Sequence, residues 1–237
     1  MAIINVIKYE GNNDTFVHKH ECEDFNVGTQ LIVHESQEAV FFRDGKAMDR
    51  FGAGKYTLDT ESLPFMKKFF NSIAGGPSQF HAEVYFVNLT TIMGIKWGTD
   101  SKVRMYDPAS GLHLEIGAFG EFNIKVVDSG KILLKLVGTE LGLTKEDIVG
   151  GSGYTKASVS GKFRALVMTK VKSILPKAIR ENNIDILEVD EYLDEISEYI
   201  RKELNVVFDK YGLVLPEFYI TNIDTPDDDP NFKRLKM

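Results

Sequence analysis

The sequence predicts an α+β fold: a strand-rich half followed by a helical half and one closing strand. Three observations predict it. Short runs of β-branched and aromatic residues, separated by Gly, Asp-Gly and Pro, fill residues 25–127. After Asp128 the apolar period changes from two to about 3.6, and two long amphipathic segments follow. A final β-branched run follows Gly212.

The elements follow in order. Leu31, Val33 and Val40–Phe42 belong to short strands, and Arg43-Asp44-Gly45-Lys46 carries the Asp-Gly pair of a tight hairpin. Gly52-Ala53-Gly54 marks the next connection, with a strand over 55–59. Residues 83–97 read as one or two long strands. Asp107-Pro108-Ala109-Ser110-Gly111 reads as a turn, and 112–127 as a strand pair broken near Gly117–Gly120. Asp128 or Ser129 is placed to cap a helix carrying Ile132, Leu133, Leu136 and Val137, and Thr144 with Asp147 marks a second short helical start. A long helix is predicted over 157–182, striped by Phe163, Val167, Val171, Ile174 and Ala178, with Pro176 expected to kink or end it. A second is predicted from an Asp190 cap, striped by Leu193, Ile196, Ile200, Leu204 and Val207, and closed by Gly212 at the position just past its end. A strand over 214–223 ends the fold. The organisation expected is an N-terminal arm (1–24), one domain (25–226: strands 25–127, helices 128–212, closing strand 213–224) and a C-terminal linker (227–237).

Charge and cysteine content exclude several classes. The formal net charge is -7, which argues against nucleic-acid binding, because neutralising phosphates requires clustered Lys and Arg. The single cysteine, Cys22, cannot form a disulfide within the chain and fits a reducing compartment. The first ten residues lack the apolar core of a signal peptide. No segment approaches the roughly 18 to 20 apolar residues of a spanning helix, so membrane contact is expected to be peripheral or through a partner.

Motifs that would carry catalysis are incomplete. Gly161-Lys162 resembles the end of a phosphate loop, but Phe163 stands where a Ser or Thr would hold magnesium, and Lys156 occupies the position of the first Gly. Gly150-Gly151-Ser152-Gly153-Tyr154 has Tyr in place of the last small residue of a nucleophile elbow. His18, His20 and Cys22 alternate on one face of an extended segment, one ligand short of a closed zinc site; a polar N-terminal arm explains them more simply. Asp190, Glu191, Asp194, Glu195 and Glu198 lie off the apolar stripe of the second helix, as a solvated face or a surface for a basic partner. No catalytic residue, metal or cofactor is expected. The contact segment singled out is Leu63–Phe70. If helical, Phe65, Met66, Phe69 and Phe70 share one face and Lys67 and Lys68 the other, the pattern of an element that packs on the sheet or enters a bilayer interface or partner groove.

Three stretches carry a family resemblance. Gln30–Val40 with Arg43-Asp44-Gly45-Lys46, then Phe51-Gly52-Ala53-Gly54-Lys55-Tyr56, and finally Tyr211-Gly212-Leu213 through Ile220-Thr221-Asn222-Ile223-Asp224-Thr225-Pro226 resemble, in that order, the stomatin–prohibitin–flotillin (SPFH, band 7) domain. Ala53 replaces the proline usual in the second stretch. The wording of Gln30–Phe42 and Tyr85–Asn88 is closest to a bacterial branch labelled virion-core-protein-like. The resemblance implies a non-enzymatic, oligomeric scaffold on the cytoplasmic face of the cell membrane. Its partners would be copies of itself and an integral-membrane or membrane-stress protein. Two departures are expected to matter: no hydrophobic anchor precedes residue 25, and the sequence ends soon after Pro226, where relatives continue into a coiled coil or zinc-ribbon-like tail. The rival classes are a hydrolase or peptidase-associated enzyme and a phage or virion structural protein.

Overall fold

A computed structural model describes residues 5–59, 79–108, 110–138, 140–149, 162–226 and 230–235. The strands are β1 (Val6–Ile7), β2 (Thr15–Lys19), β3 (Asp24–Asn26), β4 (Thr29–Val33), β5 (Gln37–Arg43), β6 (Lys46–Phe51), β7 (Gly54–Leu58), β8 (Gln79–His81), β9 (Glu83–Asn88), β10 (Ile92–Gly98), β11 (Val103–Asp107), β12 (Leu112–Val126), β13 (Gly142–Thr144), β14 (Leu213–Val214) and β15 (Phe218–Asp224). The α-helices are α1 (Ser129–Ile132), continued by a π-helical turn over Leu133–Val137, α2 (Lys145–Val149), α3 (Lys162–Glu181), α4 (Leu193–Phe208) and α5 (Pro230–Leu235). The fold is the α+β arrangement expected, mostly antiparallel strands first and long helices after. The chain divides into two compact units, residues 1–90 with 126–145 and residues 91–125 with 146–237.

The first unit holds a five-stranded sheet in the order β13-β2-β9-β5-β6, a three-stranded sheet β1-β4-β7 and the pair β3-β8. Its core draws on all three sheets: Ile7, Leu31, Phe41, Phe51, Leu58, Phe80 and Phe86 form one cluster with their neighbours. Strands β5 and β9 pair in register, Ala39 opposite Phe86 and Phe41 opposite Val84. Alternate residues Val40, Tyr85 and Val87 are also buried. A strand buried on both faces reads as an unbroken apolar run, which is how Ala39–Phe42 reads. Asp44 and Gly45 both take positive φ, 51° and 73°, as a two-residue type I′ hairpin demands. Helix α1 starts as its sequence predicts, with the Asp128 carboxylate accepting from the Lys131 amide at 3.0 Å. Thr15–Lys19, read as part of a polar arm, is instead a sheet strand with Phe16 and Val17 fully buried.

In the second unit β12 pairs with β10, β11, β14 and β15. Its apolar residues alternate: Leu114, Ile116, Ala118, Phe122 and Ile124 are buried, while His113, Glu115 and Phe119 are exposed. Helix α3 packs on β10 and β11, α4 packs on β14 and β15, and the two helices contact each other. Phe163 joins them through ring contacts to Phe208 and Tyr211, at 5.3 and 5.1 Å.

Four elements differ from the sequence reading. Residues 112–126 form one strand, not a broken pair. Gly120 sits at a register shift, where the Tyr219 carbonyl of β15 approaches too closely for any side chain. Helix α3 runs through Pro176 to Glu181, so the proline does not end it; Ala178 and Ile179 beyond it are buried and hold the last turns in place. The residue that caps the second helical segment is Asp185, not Asp190. Its carboxylate accepts from the Leu187 amide at 2.9 Å, a 3₁₀ turn over Ile186–Tyr192 follows, and α4 begins only at Leu193. Burial of Ile186 and Val189 fixes that earlier start. The closing strand is split around Pro216, which has no N–H for a ladder. Asn205 bridges the gap, its amide accepting from Leu215 N–H at 2.7 Å and donating to Leu215 C=O at 3.1 Å. Gly212 is left-handed (φ 76°) after the last helical turn, as expected.

Candidate interaction surface

The first unit places most of the histidines. Those of β2 and the residue after it, His18 and His20, are half-buried against aromatic rings. His18 stacks on Tyr9 at 4.2 Å and 17°, and His20 on Phe25 at 5.9 Å. Cys22 is exposed, and its thiol donates to the Asp24 carbonyl at 3.2 Å. The alternation that suggested a ligand set thus directs two of its members into ring stacks. Among the described residues no group of three His, Cys, Asp or Glu side chains is arranged to hold a metal ion. His81 instead faces Asp24 at 3.0 Å and Glu23 at 3.4 Å, and Lys19 bridges Glu23 and Glu83 at 2.8 and 2.7 Å.

Burial pushes both stacked imidazoles below their ordinary value; for His18 the neighbouring His20 adds to this, and Glu21 opposes it for both. Below about pH 6.5, the ordinary imidazole value, the unfolded chain takes up protons that the folded rings resist. The stability these neutral rings confer is therefore complete above that pH and declines as pH falls through it toward the lower folded values. Hydrogen exchange at the β2 and β9 amides should accelerate between about pH 7.5 and pH 5.5 beyond the intrinsic exchange trend. A His18→Gln, His20→Gln variant should show a flatter dependence; an unchanged slope would remove the histidines as its cause.

The second unit carries a separation of charge along its helices. From 162 to 180 there are six basic residues and no acidic one; from 181 to 200 there are eight acidic residues and no basic one. Burial orients them. The stripe Phe163, Val167, Val171, Ile174 and Ala178 faces inward, leaving Lys170, Lys177 and Arg180 exposed on one helix face. Glu188, Asp190 and Glu191 are exposed on the 3₁₀ turn, and Asp194 and Glu195 on the first turn of α4. There the helix dipole favours negative charge.

Part of this charge is paired locally. Lys172 bonds Asp100 and Ser101, Lys177 lies 3.9 Å from Glu181, and Glu181 accepts from the Tyr199 hydroxyl at 2.7 Å. Glu198 accepts two bonds from the Arg201 guanidinium, at 2.6 and 2.8 Å, which hold its carboxyl down to about 2. No ion pair within 4 Å engages Lys170, Arg180, Glu188, Asp190, Glu191, Asp194 or Glu195 among the described residues. The carboxylates were legible in the sequence as an exposed face. The complementary basic run on α3 was equally visible there and was missed, because only its apolar stripe was read.

Other residues singled out from the sequence fall elsewhere. Phe65, Met66, Lys67, Lys68, Phe69 and Phe70 lie outside the described residues, as do Gly150–Gly153 and Gly161. Among the described residues no helix is long and apolar enough to cross a membrane.

This architecture, with its paired helices and closing strand, agrees with the family comparison. A model described as "SPFH domain-Band 7 family" matches residues 16–231, and the chain belongs to that family. It is also similar to a protein of Bacillus subtilis (strain 168) named "Uncharacterized protein YdjI", 25% identical over 230 residues. That alignment covers 95% of this chain and 66% of the relative, so the chain spans slightly less than two thirds of the relative's length.

Proposed function

We propose that this chain is a non-enzymatic scaffold domain that assembles with copies of itself and recruits membrane-associated proteins from the cytoplasmic side. The observation that carries this reading is membership of the SPFH domain-Band 7 family over residues 16–231. Many members of that family act as membrane-associated scaffolds. The work of such a domain is presentation: identical faces arrayed many times turn weak contacts into avid ones. The paired helices supply a rigid, charge-patterned exterior suited to that task. The partner fitting this reading is an integral-membrane or membrane-stress protein. Placement in the virion-core-protein-like branch rests on the wording of Gln30–Phe42 and Tyr85–Asn88.

In this reading Phe65, Met66, Lys67, Lys68, Phe69 and Phe70 form the membrane or partner contact, on the strength of their amphipathic spacing. The test is affinity capture from native membranes, followed by mass spectrometry, with the chain and a Phe65→Ala, Phe69→Ala, Phe70→Ala variant. Integral-membrane proteins should be enriched by the first and depleted by the second. Recovery of only soluble metabolic enzymes would overturn the membrane role. Co-sedimentation of both proteins with anionic liposomes then separates lipid contact from protein contact.

A further inference from the structure

The helices of the second unit carry opposite charge in two uninterrupted blocks, and much of it has no ion-pair partner among the described residues. The basic row Lys170, Lys177 and Arg180 lies along the exposed face of α3, spaced by seven and three residues, which keeps it on one side of the helix. The acidic group Glu188, Asp190, Glu191, Asp194 and Glu195 is exposed on the 3₁₀ turn and the first turn of α4. Among the described residues, the one ion pair of this row is Lys177 with Glu181, at 3.9 Å.

We propose that this helix pair is a self-docking surface, in which the basic row of α3 on one copy seats on the acidic start of α4 on a second copy. Three considerations favour a second copy as the occupant. The two poles are opposite in sign and lie in one compact unit, so each copy offers both halves of the contact. Two chains of net charge -7 repel one another at long range. Contact is therefore selected where a local positive row meets a negative one, and this pair of faces provides that meeting. Beside the row the exposed surface of α3 carries Ala165, Thr169 and Ser173, short side chains that let another surface approach the helix closely. The contact rests on the scaffold reading only in that it supplies the self-assembly which that reading requires.

Sedimentation velocity of the full chain at low ionic strength tests it. Wild type should associate, and raising the salt to about 0.3 M should weaken association roughly tenfold, since exposed charge contacts are screened over about 6 Å there. A Lys170→Glu, Arg180→Glu variant and a Glu191→Lys, Glu195→Lys variant should each be monomeric alone. An equimolar mixture of the two should re-associate, because the acidic turn of the first meets the intact basic row of the second. That rescue also excludes misfolding as the cause of either loss. A monomeric wild type at low salt, association that persists in both variants, or a mixture that stays monomeric would each overturn the proposal. Persistent association in both variants would leave the scaffold reading standing with another surface. Failure of membrane capture would remove the membrane role without touching self-docking.

Discussion

Replacing Gly120 with Ala should destabilise the second unit by about 3 kcal/mol, the upper end of what overpacking a closed site costs. A Cβ built at Gly120 would stand 1.9 Å from the Tyr219 carbonyl oxygen and 2.9 Å from its carbon. Both are backbone atoms, so no rotamer change relieves the clash. The carbonyl cannot retreat freely either, because it accepts from the Trp97 indole N–H at 3.2 Å. The next residue, Ile220, donates its amide to the buried Ser197 hydroxyl of α4 at 2.9 Å. The register shift therefore fastens the sheet to the helix, and moving it would break both bonds. Against this, Gly→Ala gains only about 0.4–1 kcal/mol by restricting the unfolded chain, so the clash decides the sign. Gly117→Ala is the control. Its nearest contact is the flexible Asp224 carboxylate at 3.2 Å, and its effect should stay within about 1 kcal/mol. Trp97 is the only tryptophan and stacks on Phe218 at 4.9 Å, so its fluorescence during urea unfolding reports this unit. Equal midpoints for the two variants would refute the close-approach account.

That position shows where sequence reading succeeds and where it stops. Asp44-Gly45 was legible as a hairpin because the turn is local: two adjacent residues alone satisfy its positive φ values. Gly212 was legible for the same reason. Gly120 looked like a chain break because its cause lies in a strand distant in sequence, and a glycine in a strand pattern marks either a bend or a close approach. The Asp190 cap failed similarly. Asp185, Asp190 and Asp194 all suit a cap chemically, and the choice among them is made by burial of Ile186 and Val189. Pro176 does not end its helix, since packing of Ala178 and Ile179 beyond it outweighs one missing amide. The two-unit division left no composition shift or linker to find, because both units are interleaved in the chain. On the surface, the carboxylates of the second helical segment were legible, while their significance depended on noticing the oppositely charged helix before them.

Truncating Phe41 should have the largest effect in the first unit, about 3–5 kcal/mol for Phe41→Ala. Phe41 is fully buried at the centre of β5, opposite Val84 of β9, and meets Phe51 edge-on at 5.4 Å. Its cluster takes residues from the five-stranded sheet, the three-stranded sheet and the β3-β8 pair. A vacated ring site there removes contacts from all three, and collapse is resisted by β5, which is paired on both sides by β6 and β9. Phe41→Leu, which keeps most of the volume, should cost less than half as much. Phe42→Ala makes the sharper comparison. Phe42 lies on the opposite face of the same strand, at the edge of burial (9% exposed), and meets Tyr85 at 5.3 Å. If the shared cluster holds the three sheets together, Phe41→Ala should accelerate amide exchange in β4 and β7 as well as in β5 and β9, whereas Phe42→Ala should act mainly within the five-stranded sheet. Equal acceleration by both variants in β4 and β7 would show that the sheets are held by something other than this cluster.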